Sequence, residues 1–403
     1  MSRWLRLSSL VIPVLLGAVV PRPAAAVRVS GHSGTVVEWF DEPQGDLALP
    51  VYEYLRLDLR DLGRDGVDFA AYGRLSGDPT GETEAESRLY YAYVEKKDLF
   101  GRLDARFGRQ FVTTVAGASV LDGIDLKLED LGPLAVRAFG GGDVAYDEDY
   151  EAGDLLWGLE VSGRAAGSLD WEASYLQKWD DGELARELVG LGGNWGAGDA
   201  LDLYGELQFN YLADAVSYFL GGLTYHPSLR WSVRGEYLYS LPVFDSTSIY
   251  SVFAVEEYRE LLGEVVYRLR PGLRVFGRYT HEFYAEFADA DVYEVGVEQV
   301  RTGRFSGYLV GTFRDDEGGQ DLRGVKARAA FRFTPRLQLG AGAHVDVLER
   351  DLADDDDTTS GRYWADATAY LTRTVDLQVK VERVESGLYD FYYRGRVRLD
   401  VRF

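Results

Sequence analysis

The chain has 403 residues, no cysteine and a formal net charge of −23. So strong a negative charge argues against a nucleic-acid partner, because proteins that bind nucleic acid usually present a basic face. The absence of cysteine excludes a disulfide scaffold, thiolate metal sites and cysteine nucleophiles. The length is compatible with two or three soluble domains or with one large barrel.

Residues 1–26 have the three parts of a secretory signal peptide. Arg3 and Arg6 give a positive start, an apolar stretch runs from Leu10 to Val20, and Ala24–Ala26 provides small residues for cleavage. The apolar stretch is shorter than the roughly 20 residues of a spanning helix, although an uncleaved anchor is the alternative. We therefore expect a signal peptide at 1–26 and an exported protein at 27–403.

From Val27 onward, apolar and polar residues alternate with a period of two, which is typical of β-strands. Segments of roughly 10–12 residues carry one apolar and one charged face, as in a transmembrane barrel with a polar lumen. We predict an all-β fold: a single antiparallel up-and-down barrel of about 22 strands (20–22), with no plug domain, because strands begin directly after residue 27. The predicted strand cores are 29–39, 51–60, 66–76, 86–96, 101–110, 122–129, 134–142, 154–164, 168–179, 185–195, 200–210, 215–226, 229–239, 257–269, 272–283, 290–300, 304–314, 323–333, 336–347, 362–371, 374–384 and 390–403.

The connections between these segments alternate in kind. One set is tight and rich in Gly, Pro and Asp, such as Gly63–Gly66 and Pro271-Gly272. The other set is mostly longer and more acidic, and it includes Phe111–Leu121, Leu241–Glu256 and Leu348–Gly361. Short periplasmic turns and longer outer loops are typical of outer-membrane barrels, so the sequence predicts the outer membrane of a Gram-negative bacterium.

The last segment, Tyr392–Phe403, resembles the C-terminal strand of Gram-negative outer-membrane proteins, which end in alternating apolar residues and a terminal Phe. The resemblance implies that Val397, Leu399, Val401 and Phe403 form the signal read by the barrel-assembly machinery. The simpler interpretation is that these residues face lipid, and both can hold together.

A second resemblance is carried by Phe107-Gly108-Arg109-Gln110 and Leu121-Asp122-Gly123-Ile124-Asp125. The pattern, in which Gly-Arg-Gln closes one strand and Asp-Gly opens the next, is similar to that of porin-like families that include the alginate-export-type barrels. It implies a porin-like protein and does not name a substrate.

Charged residues on the inward-facing side of the predicted strands are the candidate selectivity residues. The candidates are Arg56, Arg102, Arg106, Arg274, Arg278, Arg328, Arg332, Arg394, Arg396 and Arg398. They could form a basic path that favours anions, because rings of charge set selectivity in pores. They could equally pair with inward carboxylates and stiffen the wall.

Three further features bear on function. The apolar loop Leu241–Val255, with Phe244, Ile249, Tyr250 and Phe253, could fold inward as a constriction, cover the outer mouth or touch lipid. The acidic run Asp354, Asp355, Asp356 and Asp357 could hold calcium, although a solvated loop is the simpler interpretation. No spaced histidine pair or serine nucleophile motif is present, so we predict no enzyme activity, no cofactor and no other metal.

These observations favour a porin for passive or selective diffusion of small polar or anionic solutes. Its expected partners are outer-membrane lipid, the barrel-assembly machinery, small polar solutes and no nucleic acid. One alternative is a sheath of the porin–cytochrome type that encloses a periplasmic or lumenal partner protein. Another is a structural barrel without transport.

Overall fold

The computed structural model describes residues 27–41, 46–63, 66–144, 152–165, 167–243, 256–300, 302–319, 321–348, 358–386 and 389–403. Within this part of the chain all regular structure is β-strand. The strands are β1 (Arg28–Asp41), β2 (Leu47–Ala48), β3 (Val51–Leu62), β4 (Val67–Gly77), β5 (Arg88–Leu99), β6 (Leu103–Thr114), β7 (Gly117–Leu131), β8 (Leu134–Val144), β9 (Ala152–Ala165), β10 (Leu169–Asp180), β11 (Glu183–Ala197), β12 (Leu201–Asn210), β13 (Ala215–Ser228), β14 (Trp231–Ser240), β15 (Tyr258–Arg270), β16 (Leu273–Tyr284), β17 (Ala290–Gln299), β18 (Phe305–Asp316), β19 (Leu322–Thr334), β20 (Leu337–Leu348), β21 (Thr358–Tyr370), β22 (Val375–Ser386) and β23 (Tyr389–Arg402).

Twenty-two of these strands form a closed antiparallel barrel, and the two-residue β2 only extends the end of β1. Each long strand pairs with its neighbours in sequence, and β1 closes the ring by pairing with both β3 and β23. The predicted barrel and its strand number are therefore confirmed, and each of the 22 predicted cores overlaps one long strand. Closure satisfies the backbone groups that an open sheet edge would leave unpaired in lipid.

The two faces of the wall differ as the alternation predicts. Large apolar side chains point outward and are exposed in the isolated protein, including Leu55 on β3, Phe107 on β6 and Val295 on β17. Charged residues such as Asp125 and Asp400 lie buried on the inward face. Among the described residues, no helix is long and apolar enough to cross a membrane. An apolar outer belt on a closed barrel is the arrangement that spans an outer membrane.

Two features of the predicted layout need correction. The stretch Phe111–Leu121 is not an outer loop: β6 and β7 continue through it and pair up to a tight tip at Thr114 and Gly117. Arg102 does not lie on the barrel wall, because β6 begins only at Leu103 and Arg102 is exposed in the preceding turn. Alternation alone could not mark the end of the strand, since Arg102 continues the polar pattern of Asp104.

Several predictions fall on residues outside the described part of the chain. They concern the signal peptide at 1–26, the loop residues Phe244, Ile249, Tyr250 and Phe253, and the acidic run from Asp354 to Asp357. Within the described residues, no group of His, Cys, Asp or Glu side chains is arranged to hold a metal ion.

Candidate functional site

The lumen is narrowed by the β6–β7 hairpin, which leaves the wall and folds inward. β5 pairs with β6 only as far as Arg109, and β8 pairs with β7 only as far as Leu121. Beyond these points no strand among the described residues pairs with the hairpin. Its side chains Val112 and Leu121 are fully buried inside the barrel, where they pack with Leu176 and other inward residues of β8–β11. Burial of such side chains contributes about 1.5–3 kcal/mol each.

Glycines permit the bend at the base of the hairpin. A Cβ at Gly123 would lie 2.1 Å from the carbonyl oxygen of Gly140, and one at Gly108 would lie 2.4 Å from that of Ala92. Gly108 also has a φ of +125°, which residues with a side chain rarely adopt. These are glycines of the Gly-Arg-Gln and Asp-Gly pattern. Its physical role in this chain is therefore the close backbone approach at the point where the hairpin turns inward.

The tip of the hairpin is fixed by hydrogen bonds to the nearby wall formed by β10 and β12. The amide of Val115 donates to Glu172 Oε1 at 3.0 Å, and that of Ala116 donates to Ser174 Oγ at 2.9 Å. Gln208 Nε2 donates to the carbonyl of Ala116 at 2.8 Å. The backbone groups of the tip, which have no strand partner, are thus satisfied by side chains of β10 and β12.

An ion pair closes the gap that the hairpin leaves in the wall. Arg109 binds both carboxylate oxygens of Asp122 at 2.8 Å. A third guanidinium nitrogen donates to the carbonyl of Leu89 at 3.2 Å, at the level where β5 has lost its partner. Alternation places this pair on the outward side, beside the exposed Phe107 and Ile124. A bidentate pair of this kind is both strong and directional.

Three of the candidate arginines, Arg394, Arg396 and Arg398, lie on the last strand, and Arg402 follows them on the same face; we call these four residues the arginine column. Arg398 binds Asp400 at 2.8 Å, and Asp400 also accepts from His32 at 2.7 Å. Arg402 binds Asp376. Carboxylates therefore neutralise Arg398 and Arg402, as the wall-stiffening interpretation expects.

The surroundings of Arg394 and Arg396 are different, because one carboxylate there faces several cations. Glu382 lies within 2.5–2.8 Å of Lys380, Arg362 and Arg394. Arg396 is exposed in the lumen and forms no ion pair within the described part of the chain. We call Arg362, Lys380, Arg394 and Arg396, together with Glu382, the basic patch. It leaves an excess of positive charge on one side of the lumen.

The remaining predicted arginines are mostly paired. Arg56 binds Asp58, Arg106 binds Glu95, Arg274 binds Glu298, Arg278 bridges Glu264 and Glu294, and Arg328 binds Asp366. Arg332 donates to the carbonyl of Pro335 and its guanidinium lies over the ring of Tyr370. The predicted set thus lies around the whole circumference and does not form one continuous path. Arg362 and Lys380 were missed, since their own strands show no cluster of basic residues.

Only the first three residues of the apolar loop Leu241–Val255 after β14 are described, and they lie beside the hairpin. The described start of that loop, Leu241–Val243, borders the same cavity as Val115, Glu172 and Gln208, and Val243 packs against the buried core of the hairpin.

The similarity of the chain to known proteins is confined to solved structures. No protein-family model matches the chain, and no curated protein matches it. Solved structures similar to it include Pseudomonas aeruginosa OpdQ, at 10% identity and a TM-score of 0.49 over 94% of this chain and 99% of that one. P. aeruginosa OccK2 (OpdF) in complex with glucuronate has 11% identity and a TM-score of 0.45 over 94% and 98%. The translocation pore of the P pilus usher PapC has 9% identity and a TM-score of 0.44 over 93% and 99%.

These similarities concern the overall fold and carry no function over to this chain. The chain is a porin-like outer-membrane β-barrel by its own geometry: closed, apolar outside and charged inside.

Proposed function

We propose that this barrel is a channel for passive or selective diffusion of small polar solutes, with a preference for anions. The observation that carries the proposal is the basic patch, since most of the other candidate arginines are paired with carboxylates. Because the wall excludes lipid and the hairpin narrows the lumen, a passing ion is brought close to these side chains, where unpaired charge acts most strongly. OccK2 with glucuronate is a solved barrel that holds a small anion, and it is consistent with this proposal.

The inward hairpin disfavours the alternative of a sheath, since it occupies lumenal volume that a folded partner protein would need. The absence of enzyme activity and of a cofactor stays a prediction. So do cleavage of the signal peptide after residue 26 and recognition of Val397, Leu399, Val401 and Phe403 by the assembly machinery. Their alternation along the last strand puts these four residues on its apolar face, which suits contact with lipid or with the machinery.

Planar bilayers test the proposal. Purified protein should conduct ions, and the reversal potential in a KCl gradient should indicate anion preference. Replacing Arg362, Arg394 and Arg396, the arginines of the basic patch, by Gln should shift the preference toward cations. The matched control is the triple change of Arg230, Arg304 and Arg336 to Gln, because these three are exposed at the ends of the barrel outside the lumen wall. Silent membranes that contain folded protein would refute the channel, and equal shifts in both triple variants would refute the role of the basic patch.

A further inference from the structure

Six tyrosines form a continuous row on the inward face of β3, β4 and β5. Ring centroids are 6.3 Å apart between Tyr52 and Tyr54 and between Tyr54 and Tyr72. Tyr72 then contacts Tyr90 at 4.9 Å and Tyr91 at 5.8 Å. The row ends at Tyr93, whose ring centroid is 5.7 Å from that of Tyr91. We call these six residues the tyrosine row.

The rings are only half-buried, so part of each ring is open to the lumen. The two ends of the row are covered by guanidinium groups: Arg74 lies 5.2 Å from the ring of Tyr52, and Arg106 lies 4.5 Å from that of Tyr93. Such cation–π contacts hold the terminal rings in place. Between these ends, Tyr54, Tyr72 and Tyr91 are half-exposed and offer ring surface to a solute in the lumen.

Paired charges border the middle of the row. The strand register places Arg56 of β3 beside Tyr72 of β4. On the other side of the row, Asp400 of β23 and Tyr54 of β3 both pair with Gly34 of β1. Arg56 is neutralised by Asp58, and Asp400 neutralises Arg398. The border therefore offers donors and acceptors together, with little net charge.

The row also passes the narrowed part of the lumen. Tyr90 packs against Val120 of the inward hairpin and against Val144 of β8. A solute that passes the hairpin on this side therefore moves along the rings.

This arrangement selects among solute classes. A small inorganic anion gains little from a row of phenol rings, and a single aromatic acid would use only one or two of them. A pyranose sugar presents apolar C–H faces, which suit aromatic rings, and a rim of hydroxyls, which suits paired guanidinium and carboxylate groups. An oligosaccharide repeats this combination along its length, as the row does.

We propose that the tyrosine row is a carbohydrate-binding lane, in which pyranose rings stack on Tyr54, Tyr72 and Tyr91 while their hydroxyls bind the Arg56–Asp58 and Arg398–Asp400 pairs. The proposal rests on the channel function and names a solute class for it. Neutral sugars suffice as ligands, because the bordering charges are balanced.

The test uses the full-length protein and maltohexaose, a neutral chain of pyranose rings. In planar bilayers the sugar should interrupt the ion current reversibly, and calorimetry in detergent should give the matching dissociation constant. The double variant Tyr54→Ala/Tyr72→Ala should raise that constant about tenfold or more, since two stacking surfaces are lost. The double variant Tyr54→Phe/Tyr72→Phe should keep most of the affinity, because the rings remain.

The matched control is Tyr258→Ala/Tyr284→Ala, another inward tyrosine pair with centroids 5.5 Å apart but outside the row. It should bind maltohexaose as the unaltered protein does. Equal losses in both alanine pairs, or no binding at all, would overturn the lane even if the protein conducts ions. Block by glucuronate without block by maltohexaose would also overturn it. Binding in detergent with silent membranes would support the lane and refute the channel.

Discussion

The ring of Phe403 packs directly over the Cα of Gly31 at the seam where the first and last strands close the barrel. A Cβ at Gly31 would lie 2.4 Å from the Phe403 ring. The two residues also exchange backbone hydrogen bonds, at 2.8 Å from Gly31 to Phe403 and 3.1 Å in return. Ring packing and backbone hydrogen bonds thus hold the terminal phenylalanine against the first strand.

A larger side chain at Gly31 should impair closure of the barrel. We expect Gly31→Val to destabilise the folded barrel by about 1–3 kcal/mol, as overpacking usually does, and to lower the refolding yield. The measurement is the fraction of folded protein on unheated gels after refolding into detergent or lipid. Gly263→Val is the control, since a Cβ at Gly263 meets no atom within 4 Å. Equal yields for the two variants would contradict a role of the Phe403–Gly31 contact in closure.

The hairpin bend should be equally sensitive to added side-chain volume. Gly123→Ala is expected to cost about 1–3 kcal/mol, because its Cβ would collide with the carbonyl of Gly140 and backbone would have to move. Denaturant titration in detergent measures the change. Gly277→Ala is a matched strand control with open space around the added methyl group. If Gly123→Ala proves as mild as this control, the close approach does not determine the bend.

The Arg109–Asp122 pair should hold the hairpin in the lumen. Removing one partner leaves the other charge unpaired beside lipid, so Arg109→Gln or Asp122→Asn should cost about 1–3 kcal/mol and loosen the hairpin. Single-channel recordings should then show a larger or more variable conductance.

Arg164→Gln is the control for this prediction, since Arg164 and Asp170 form a pair at 2.7 Å in which both side chains are exposed. Such surface pairs contribute little. Unchanged conductance and current noise in the Arg109 and Asp122 variants would show that the buried core of the hairpin suffices without the pair.

Acid should release the outer loop that follows β4. Desolvation raises the pKa of Asp78, but hydrogen bonds from the hydroxyls and amides of Thr80 and Thr83 outweigh this effect and hold the pKa well below its usual range. Asp78 also accepts from the amide of Leu49 in the preceding outer loop. Because the pKa of this carboxyl is depressed in the folded state, its stabilisation is complete above the ordinary value of 3.8 and is lost as the pH falls below it.

Hydrogen exchange of the amides of Thr80 and Thr83 should therefore be slow, relative to intrinsic rates, at neutral pH and lose protection in strong acid. Asp78→Asn should lose protection already at neutral pH. Protection that is independent of pH and of this substitution would contradict the role of Asp78.

Most of the wall could be read from the sequence, because a strand with lipid on one side and water on the other must alternate. The candidate site was only partly predictable. Arg394, Arg396 and Arg398 were found because they share one strand. Arg362 and Lys380 were not, since their approach to Glu382 depends on the register of three strands. The hairpin was mistaken for an outer loop because its apolar residues suit a lumenal core as well as a lipid-facing strand.

The sequence by itself thus determined a closed barrel with an apolar outer face, and the phase of its turns and loops. These follow from local alternation and turn residues, which act over a few positions. Only the tertiary structure decided that Phe111–Leu121 enters the lumen, that six tyrosines from three strands form one row, and that most inward arginines are neutralised. Each of these depends on which residues of different strands lie side by side, and register is a property of the whole closed ring.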